Sequence, residues 1–405
     1  MDQETAYQLL RDCLSRETDN LNITQLKSLS SADWELVVQL AIRQDLAPLL
    51  YYRLKNIFPR INFPETLRQT LQKAYFASVL RNTRLYSELD QVVQALQQQG
   101  IPVIMLKGVD LAQNIYNNIA LRSMSDIDIL VRNTDLEKAD EELRKIGYCR
   151  SEFKIEVVCA QHHHLPPFFK EGATPIEVHW HIERFTSFFT IDIEELWKRA
   201  RATTIAEREV LVLSPEDLLL HLCVHAAFNH LFQMMLRALY DIAEVIHYYQ
   251  DQIAWEVVCF RTQQWGANNS VYLTLYLAKT LAGAAVPSEV LNTLKPDNCS
   301  PQIVTWAKTQ LVQKFDEHVL PPAVIKWWKS KQILGKMNII WKRIFLPREE
   351  IARIYSISPD LPRIYFYYLI RLKDLLFWHS RTLWQLSRRN KEIVTQTELT
   401  EWLSR

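Results

Sequence analysis

The chain has 405 residues, of which 48% are hydrophobic and 23% charged, with a formal net charge of +1. This balance excludes an intrinsically disordered chain, and the length suggests two or three domains. Only 7 residues are glycine, which disfavours Gly-rich phosphate loops and all-β folds with many tight turns. The 6 cysteines form no CxxC pair, so we expect free thiols in a cytoplasmic protein. No apolar stretch is long enough to span a membrane.

Residues 1–98 are predicted to form an N-terminal helical region. The stretch SADWELVVQLAIRQDLAPLLYYRL has apolar residues at helical spacing and a candidate cap at Ser31. The stretch RNTRLYSELDQVVQALQQQG is a second amphipathic helix, and Gly100 follows its end.

The pattern changes at residue 99, where an α/β core is predicted to extend to residue 205. PVIMLKG indicates a buried strand ending at a glycine turn, VDLAQNIYNN a short helix, and DIDILV an alternating strand. NTDLEKADEELRKIGY indicates a helix with a Thr134/Glu137 capping box. KIEVVCAQHHHLPPF and TPIEVHWHI indicate two further strands. We therefore expect an α+β fold, a small mixed β-sheet core embedded in helical N- and C-terminal regions.

Two helical regions are predicted after the core. The first comprises residues 206–295, where a helix is predicted from Ser214, because SPEDLLLHLCVHAAFNHL has a Ser cap, a Pro at the first position and two acids in the first turn. Residues 296–405 are basic and rich in Trp. From residue 301 onward, the chain has 18 Lys and Arg residues and 9 Asp and Glu residues. A helical cap is the favoured interpretation of this region, and a surface for nucleic acid or anionic lipid is the alternative.

Two aspartates flank one isoleucine at the start of the strand in DIDILV. Residues two apart on a strand point to the same face, so Asp126 and Asp128 project together while Ile127 and Ile129 enter the core. Two carboxylates this close repel each other, which pushes one of them toward protonation, and a divalent cation removes the conflict. Glu177 lies between apolar neighbours on a later strand and is the candidate third acid. Three such carboxylates can hold two Mg²⁺ ions.

An anion site is predicted beside these acids. The strand, the turn at Gly108 and the helix that follows offer backbone N–H groups to a phosphate, and Lys107 adds a positive charge. Arg122 can bind a phosphate oxygen or anchor the loop before the acid pair. Ser125 supplies a hydroxyl next to that pair.

Histidines accompany the acids. The run at residues 162–164 lacks zinc-type partners, which favours a run at a loop edge over a metal site. His164 and His179 lie on predicted strands beside the acids and are candidate pocket residues.

The predicted helices after the core carry further candidates. His221 and His225 share a helix face, either as packed polar residues or as part of a pocket wall. Asp241 is another pocket candidate, and the simpler interpretation is an ion pair with Arg237, four residues before it.

The order of these features resembles the polymerase-β-type nucleotidyltransferase superfamily. The segments LKG, SDIDILV, LRKIGY, HHLPPF, IEVHW, SPEDLLLHLCVHAAFNH and LRALYDIAEVI more closely resemble the uncharacterised nucleotidyltransferase family of bacteria. The resemblance implies that Asp126 and Asp128 are the metal-binding pair and that Glu177 is the third acid. Lys107 and Gly108 stand where the superfamily has a Gly-Ser or Gly-Gly phosphate turn, a departure that removes one hydroxyl contact to phosphate.

The resemblance also implies an activity, the Mg²⁺-dependent transfer of a nucleoside monophosphate from an NTP to an acceptor, with release of pyrophosphate. Glu177 is expected to serve as a base in this reaction, and Lys107, Gly108, Arg122 and Ser125 to contact the nucleotide. The acceptor stays open among small molecules, peptides, proteins and RNA ends. Two alternatives also stay open: a non-catalytic module that binds a nucleotide or RNA, and a toxin that modifies tRNA.

Overall fold

A computed structural model describes residues 1–15, 22–151, 155, 162–183, 189–232, 236–312, 348, 351, 364–373, 399 and 401–404. The chain divides into two compact units, Met1–Gln313 with Ser404–Arg405, and Lys314–Leu403. In the second unit, residues 364–373 are helical, and Ile364 packs with Ile351. Most of the basic region predicted for residues 296–405 lies outside the described residues.

In the described residues, the first unit begins with five α-helices. Their bounds are α1 Gln3–Leu14, α2 Ile23–Lys27, α3 Ser31–Arg43, α4 Ala47–Leu54 and α5 Glu65–Gln98. The predicted cap at Ser31 is wrong by one residue. Ser30 caps α3 and forms a capping box with Asp33, because each side chain satisfies the other's backbone N–H. Gly100, with φ 68°, ends the turn that follows α5.

One five-stranded mixed sheet forms the centre of the first unit, which confirms the predicted α+β fold. Its strands are β1 Ile104–Met105, β2 Ile127–Leu130, β3 Ile176–His179, β4 Arg201–Ile205 and β5 Arg208–Val212. The strand order is β3-β2-β1-β5-β4. β2 runs parallel to β3 and antiparallel to β1, whereas β1 runs parallel to β5.

The hairpin of β4 and β5 was not predicted from the sequence. Its turn consists of Ala206 and Glu207, whose φ angles are 50° and 61°. A two-residue hairpin turn with both φ positive normally carries Asn or Gly, so this one has no recognisable sequence signal. Since β5 pairs with both β1 and β4, residues 201–212 belong to the sheet. The division predicted between residues 205 and 206 falls inside this turn.

Two short helical segments connect the strands that precede the hairpin. After β1 come α6, Gly108–Asp110, and a π-helical turn, Leu111–Ile115. After β2 comes α7, Leu136–Lys145, preceded by a 3-10 turn at Asn133–Asp135. No side chain caps α7, so the predicted Thr134/Glu137 capping box is wrong, because the 3-10 turn occupies that position.

The strand predicted in KIEVVCAQHHHLPPF falls partly on residues 156–161, which lie outside the described residues. In the part of that stretch that the structure does describe, only isolated bridges form, between His164 and His179 and between Phe168 and Ile176.

The core of the sheet is formed by alternate residues of β2 and β3. Ile127, Ile129, Ile176 and Val178 are fully buried in one hydrophobic cluster with side chains of α5 and α7, such as Leu89 and Leu143. Each aliphatic side chain buried there contributes about 1.5–3 kcal/mol. The intervening residues of both strands therefore face the opposite side of the sheet, where the candidate acids lie.

Helices complete the first unit. Their bounds are α8 Ile193–Arg199, α9 Pro215–Val224, α10 Arg237–Tyr249, α11 Trp255–Trp265, α12 Asn268–Ala282, α13 Ser288–Leu294 and α14 Pro301–Val312. The predicted start at Ser214 is confirmed, because its Oγ accepts a hydrogen bond from the Asp217 backbone N–H. A π-helical turn, His225–Asn229, follows α9 directly. Among the described helices, none combines the length and the apolar character needed to cross a bilayer.

Candidate active site

Three acids meet on the face of the sheet opposite the core. The parallel pairing of β2 and β3 places Asp128 directly beside Glu177. Asp126 comes just before β2, where Ser125 donates a hydrogen bond of 3.2 Å from Oγ to its Oδ1. Asp128 is buried, whereas Asp126 and Glu177 are partly exposed. The acids therefore extend from the interior of the protein toward its surface.

His179 joins this group because it lies two residues after Glu177 on the same face of β3. Its Nε2 is 3.0 Å from Oδ1 of Asp128 and 3.4 Å from Oε2 of Glu177. Its Nδ1 is buried without a hydrogen-bond partner among the described residues. Asp128, Glu177 and His179 each offer one ligand atom, and the three atoms lie within 4.8 Å of one another.

The turn after β1 places Lys107 and Gly108 beside the same acids. Lys107 Nζ is 3.7 Å from Oδ2 of Asp128, and Leu106 donates its backbone N–H to the Asp128 carbonyl over 3.1 Å. Lys107 has φ 40°, an unfavourable angle for a side-chain-bearing residue. A Cβ at Gly108 would stand 2.7 Å from Nη1 of Arg122, so the close approach of this arginine requires glycine.

The charges of the site are unequal. Burial disfavours ionisation of Asp128, but Lys107 and the hydrogen bond with His179 outweigh it and hold the Asp128 pKa well below its usual range. The hydrogen bond with His179 also lowers the pKa of Glu177. Burial opposes a charge on His179, yet its two carboxylate partners raise its pKa.

Among the described residues, Asp126 is the one of the three acids that forms no ion pair. Burial, followed by repulsion from Asp128 and Glu177, raises its pKa. Among the three acids, Asp126 is therefore the one whose pKa shows the predicted repulsion between carboxylates. A cation bound beside Asp126 would relieve this repulsion.

Arg122 anchors the loop before β2. Its guanidinium is buried, with Nε 3.1 Å from Oδ2 of Asp241 on α10. Tyr116 donates a hydrogen bond of 2.9 Å to the other oxygen of the same carboxylate. Asn82 on α5 donates a hydrogen bond of 2.7 Å to the Arg122 carbonyl. These are the contacts of an anchor, the second of the two roles predicted for Arg122.

The predicted pair of Arg237 and Asp241 is wrong. Arg237 pairs instead with Asp45 from the turn after α3 and also donates to the Ser123 carbonyl over 3.2 Å. Arg237 and Asp241 therefore each contact the loop before β2 rather than each other. The helix spacing was compatible with a pair, but Asp45 and Arg122 are the closer partners of opposite charge.

The remaining histidines lie around the acids in two groups. His164 Nδ1 is 2.7 Å from the Leu165 carbonyl, and its ring centre is 5.1 Å from that of His179. Burial, followed by Lys107, holds the pKa of His221 and of His225 far below the usual range, so both are neutral. Their ring centres are 5.8 Å apart. Nε2 of His221 has no hydrogen-bond partner in the described part of the chain.

The role of one residue, His179, was underestimated from the sequence. His179 was expected only to line a pocket, but it contacts two of the three acids directly. The spacing of Glu177 and His179 equals that of Asp126 and Asp128, and two residues apart on a strand means one face. That repeated spacing was the signal that could have found it.

Comparison with known proteins identifies the class to which this chain belongs. A family model described as an uncharacterised nucleotidyltransferase matches residues 30–283. The match covers more than half of the chain, and the chain therefore belongs to this nucleotidyltransferase family.

Among solved structures, the chain is similar to the solution structure of the antibiotic-resistance factor ANT(2'')-Ia. The similarity covers 45% of this chain and 93% of that chain, with 12% sequence identity and a TM-score of 0.32. In a comparison with curated proteins, no sequence matches this chain.

Proposed function

We propose that this protein transfers a nucleoside monophosphate from an NTP to an acceptor nucleophile, in a reaction that requires a divalent cation and releases pyrophosphate. The observation that carries the proposal is the convergence of Asp126, Asp128 and Glu177 at one face of the sheet in a member of a nucleotidyltransferase family.

The residues present fit a divalent cation. Asp128 and Glu177 offer carboxylate oxygens side by side, and such oxygens are the ligands that Mg²⁺ and Mn²⁺ take in proteins. Asp126 adds a carboxylate whose pKa is raised by burial and by repulsion from Asp128 and Glu177. When bound, divalent cations neutralise phosphate charge and activate the attacking group. We assign their binding to Asp126, Asp128 and Glu177.

The turn at Lys107 and Gly108 fits the β- and γ-phosphates. Backbone N–H groups at the start of α6 and the Lys107 ammonium are donors suited to phosphate oxygens. Lys107 is already turned toward the acids, 3.7 Å from Asp128. It therefore holds the leaving pyrophosphate next to the reacting phosphorus and contributes by positioning and charge neutralisation.

Glu177 is better suited to bind a cation than to accept a proton. Its pKa is lowered by the hydrogen bond with His179, and an acid with a lowered pKa is a weak base at neutral pH. We therefore assign Glu177 to cation binding alone, and not to the additional role of base expected from the sequence.

The acceptor and the reaction can be tested together. The purified protein is incubated with α-³²P-labelled NTPs, a divalent cation and cell lysate, and labelled products and pyrophosphate are measured. We expect labelled product and pyrophosphate, both reduced at least about a hundredfold in the Asp126→Asn/Asp128→Asn variant. Asp251→Asn, at an exposed acid on a 3-10 turn, is the matched control and is expected to retain full activity.

The same assay separates the alternatives. NTP binding without pyrophosphate release in the wild-type protein would contradict the enzyme and favour a non-catalytic binding module. Label found on tRNA would favour the toxin-type reaction, whereas label on a small molecule, peptide or protein identifies the acceptor class.

A further inference from the structure

Strands β2 and β3 each place two cation-binding side chains on one face. β2 and the residue before it offer Asp128 and Asp126, and β3 offers Glu177 and His179. The pair on β3 differs from the pair on β2 because its second member is an imidazole. Because residues two apart on a strand point to the same face, the backbone of β3 itself places His179 beside the acids.

His179 is placed like a ligand rather than like a neighbour. Its Nε2 lies between two carboxylate oxygens, 3.0 Å from Asp128 and 3.4 Å from Glu177. The imidazole is almost fully buried, with 3% of its side chain exposed, and the rings of His163 and His164 pack against it with centres 5.4 Å and 5.1 Å away. This packing restricts the direction of Nε2 before any cation binds.

We infer that His179 is a nitrogen ligand of the cation held by Asp128 and Glu177, and that the site therefore prefers Mn²⁺ to Mg²⁺. This inference rests on the proposed function and specifies its cofactor. Mg²⁺ binds carboxylates, phosphates and water, whereas first-row transition-metal ions also accept imidazole. A site with one nitrogen and two carboxylate ligands favours Mn²⁺, whereas the three carboxylates expected from the sequence would favour Mg²⁺.

A cation and the Nε2 proton of His179 compete for the same nitrogen lone pair. In the structure, the hydrogen bonds of His179 Nε2 hold the two carboxylates together. Asp128, Glu177 and the Nε2 lone pair of His179 would hold a cation here, and the ring would release its Nε2 proton to solvent on binding. The side chains do not need to move apart to form the site.

Pulsed EPR of bound Mn²⁺ tests the nitrogen ligand directly. We expect electron spin-echo modulation from a coordinated ¹⁴N in the full-length wild-type protein and its loss in His179→Gln. His181→Gln is the matched control, because His181 lies on the same segment and its Nε2 is near the Ile191 carbonyl instead, at 3.3 Å. We expect the control to keep the ¹⁴N signal.

Calorimetry tests the preference between the two cations. We expect His179→Gln to weaken Mn²⁺ binding at least about tenfold, while Mg²⁺ binding changes by less than about threefold. His181→Gln should leave both affinities and their ratio unchanged. A ratio of affinities is informative here because a folding defect would reduce the binding of both ions together.

The outcomes separate this inference from the proposed function. Mn²⁺ that binds through Asp128 without a ¹⁴N signal, or with the same signal in His179→Gln, would overturn the nitrogen ligand and leave the proposed function standing. Equal weakening of both cations in a His179→Gln variant whose thermal unfolding matches that of the wild-type protein would overturn the preference. If the wild-type protein binds neither cation better than Asp126→Asn/Asp128→Asn, both proposals are wrong.

Discussion

Two clusters of buried charge share the loop before β2, which carries both Arg122 and Asp126, and they are built in opposite ways. In the first, Arg122 meets Asp241, and Tyr116 completes the carboxylate's hydrogen bonds. In the second, the acids around Asp128 outnumber Lys107 and His179, and Asp126 is left with a raised pKa. The first cluster is balanced, and the second carries surplus negative charge.

The difference shows which property marks a candidate site in this fold. Burial and ion pairing occur in both clusters, so neither property distinguishes the anchor from the site. The surplus does, because uncompensated like charge in the interior is costly and is relieved by protonation or by a ligand of opposite charge. Arg122 is predicted from the sequence to contact the nucleotide, yet its contacts are those of the balanced cluster.

Breaking the balanced cluster should have the largest effect on stability. Arg122→Met leaves Asp241 buried without its charge partner, and losing one member of a buried ion pair costs about 3–5 kcal/mol. Urea unfolding should show this loss, and the double variant Arg122→Met/Asp241→Leu should recover most of it. A loss below about 1 kcal/mol in the single variant would show that the pair is not an anchor.

Asp110 offers a third case, a buried acid without a cationic partner at hydrogen-bonding distance among the described residues. Burial raises its pKa to about 6, against an ordinary value of 3.8, although Asn114 donates a hydrogen bond of 2.8 Å. The native state therefore holds this proton more tightly than the unfolded state does. The stability that the protonated Asp110 carboxyl contributes is fully present below pH 3.8 and is lost as the pH rises to about 6.

Asp110→Asn should remove this loss while keeping the acceptor for Asn114. Relative to the wild-type protein, the variant should gain up to about 3 kcal/mol in free energy of unfolding between pH 4 and pH 6.5. Denaturant unfolding across this pH range measures the gain. Parallel curves for the two proteins would contradict the assignment.

Gly108 sharpens the comparison because it lies between the two clusters. A methyl group there would press on the Arg122 guanidinium and on Met124 at 3.1 Å. We expect Gly108→Ala to destabilise the protein by about 1–3 kcal/mol, the usual cost of overpacking. Nucleotide binding, followed by calorimetry, should weaken in the same variant, since the phosphate turn and the anchor share this contact. Unchanged thermal unfolding would show that the guanidinium moves aside without cost.

Removing the surplus should have the smallest effect on stability and the opposite sign. Asp126→Asn takes away a repelled carboxylate, so without a cation the variant should be slightly more stable, by about 0.5–1 kcal/mol. Its affinity for Mn²⁺ should fall at least about tenfold. Thermal unfolding with and without the cation measures both effects, and a destabilised cation-free variant would contradict the idea of surplus charge.

The alternation of residues made much of the site predictable. The period of two in DIDILV and PIEVHW placed Asp126, Asp128 and Glu177 on one face, because the hydrophobic residues between them had to be buried. The start of α9 was equally clear, since Ser214 and the residues after it satisfy the helix N-terminus locally.

The failures have two causes, a partner that lies far away in the chain and a turn that lacks its usual residues. Asp241 was assigned to a neighbour on its own helix, but its partner Arg122 comes from a loop more than a hundred residues earlier, as the separation of 119 shows. The β4–β5 hairpin was missed because Ala206 and Glu207 adopt positive φ without the usual glycine or asparagine. Local patterns do not encode either feature.

The pairing of β1 with β5 has a consequence for how the chain is made. Ile104 pairs with Leu211. One edge of β1, the middle strand, therefore stays unpaired until about a hundred further residues have been synthesised. During synthesis that edge is open for several seconds at ordinary elongation rates. Closing so long a loop is also slow, and this makes the half-finished sheet the stage at which self-association competes with folding.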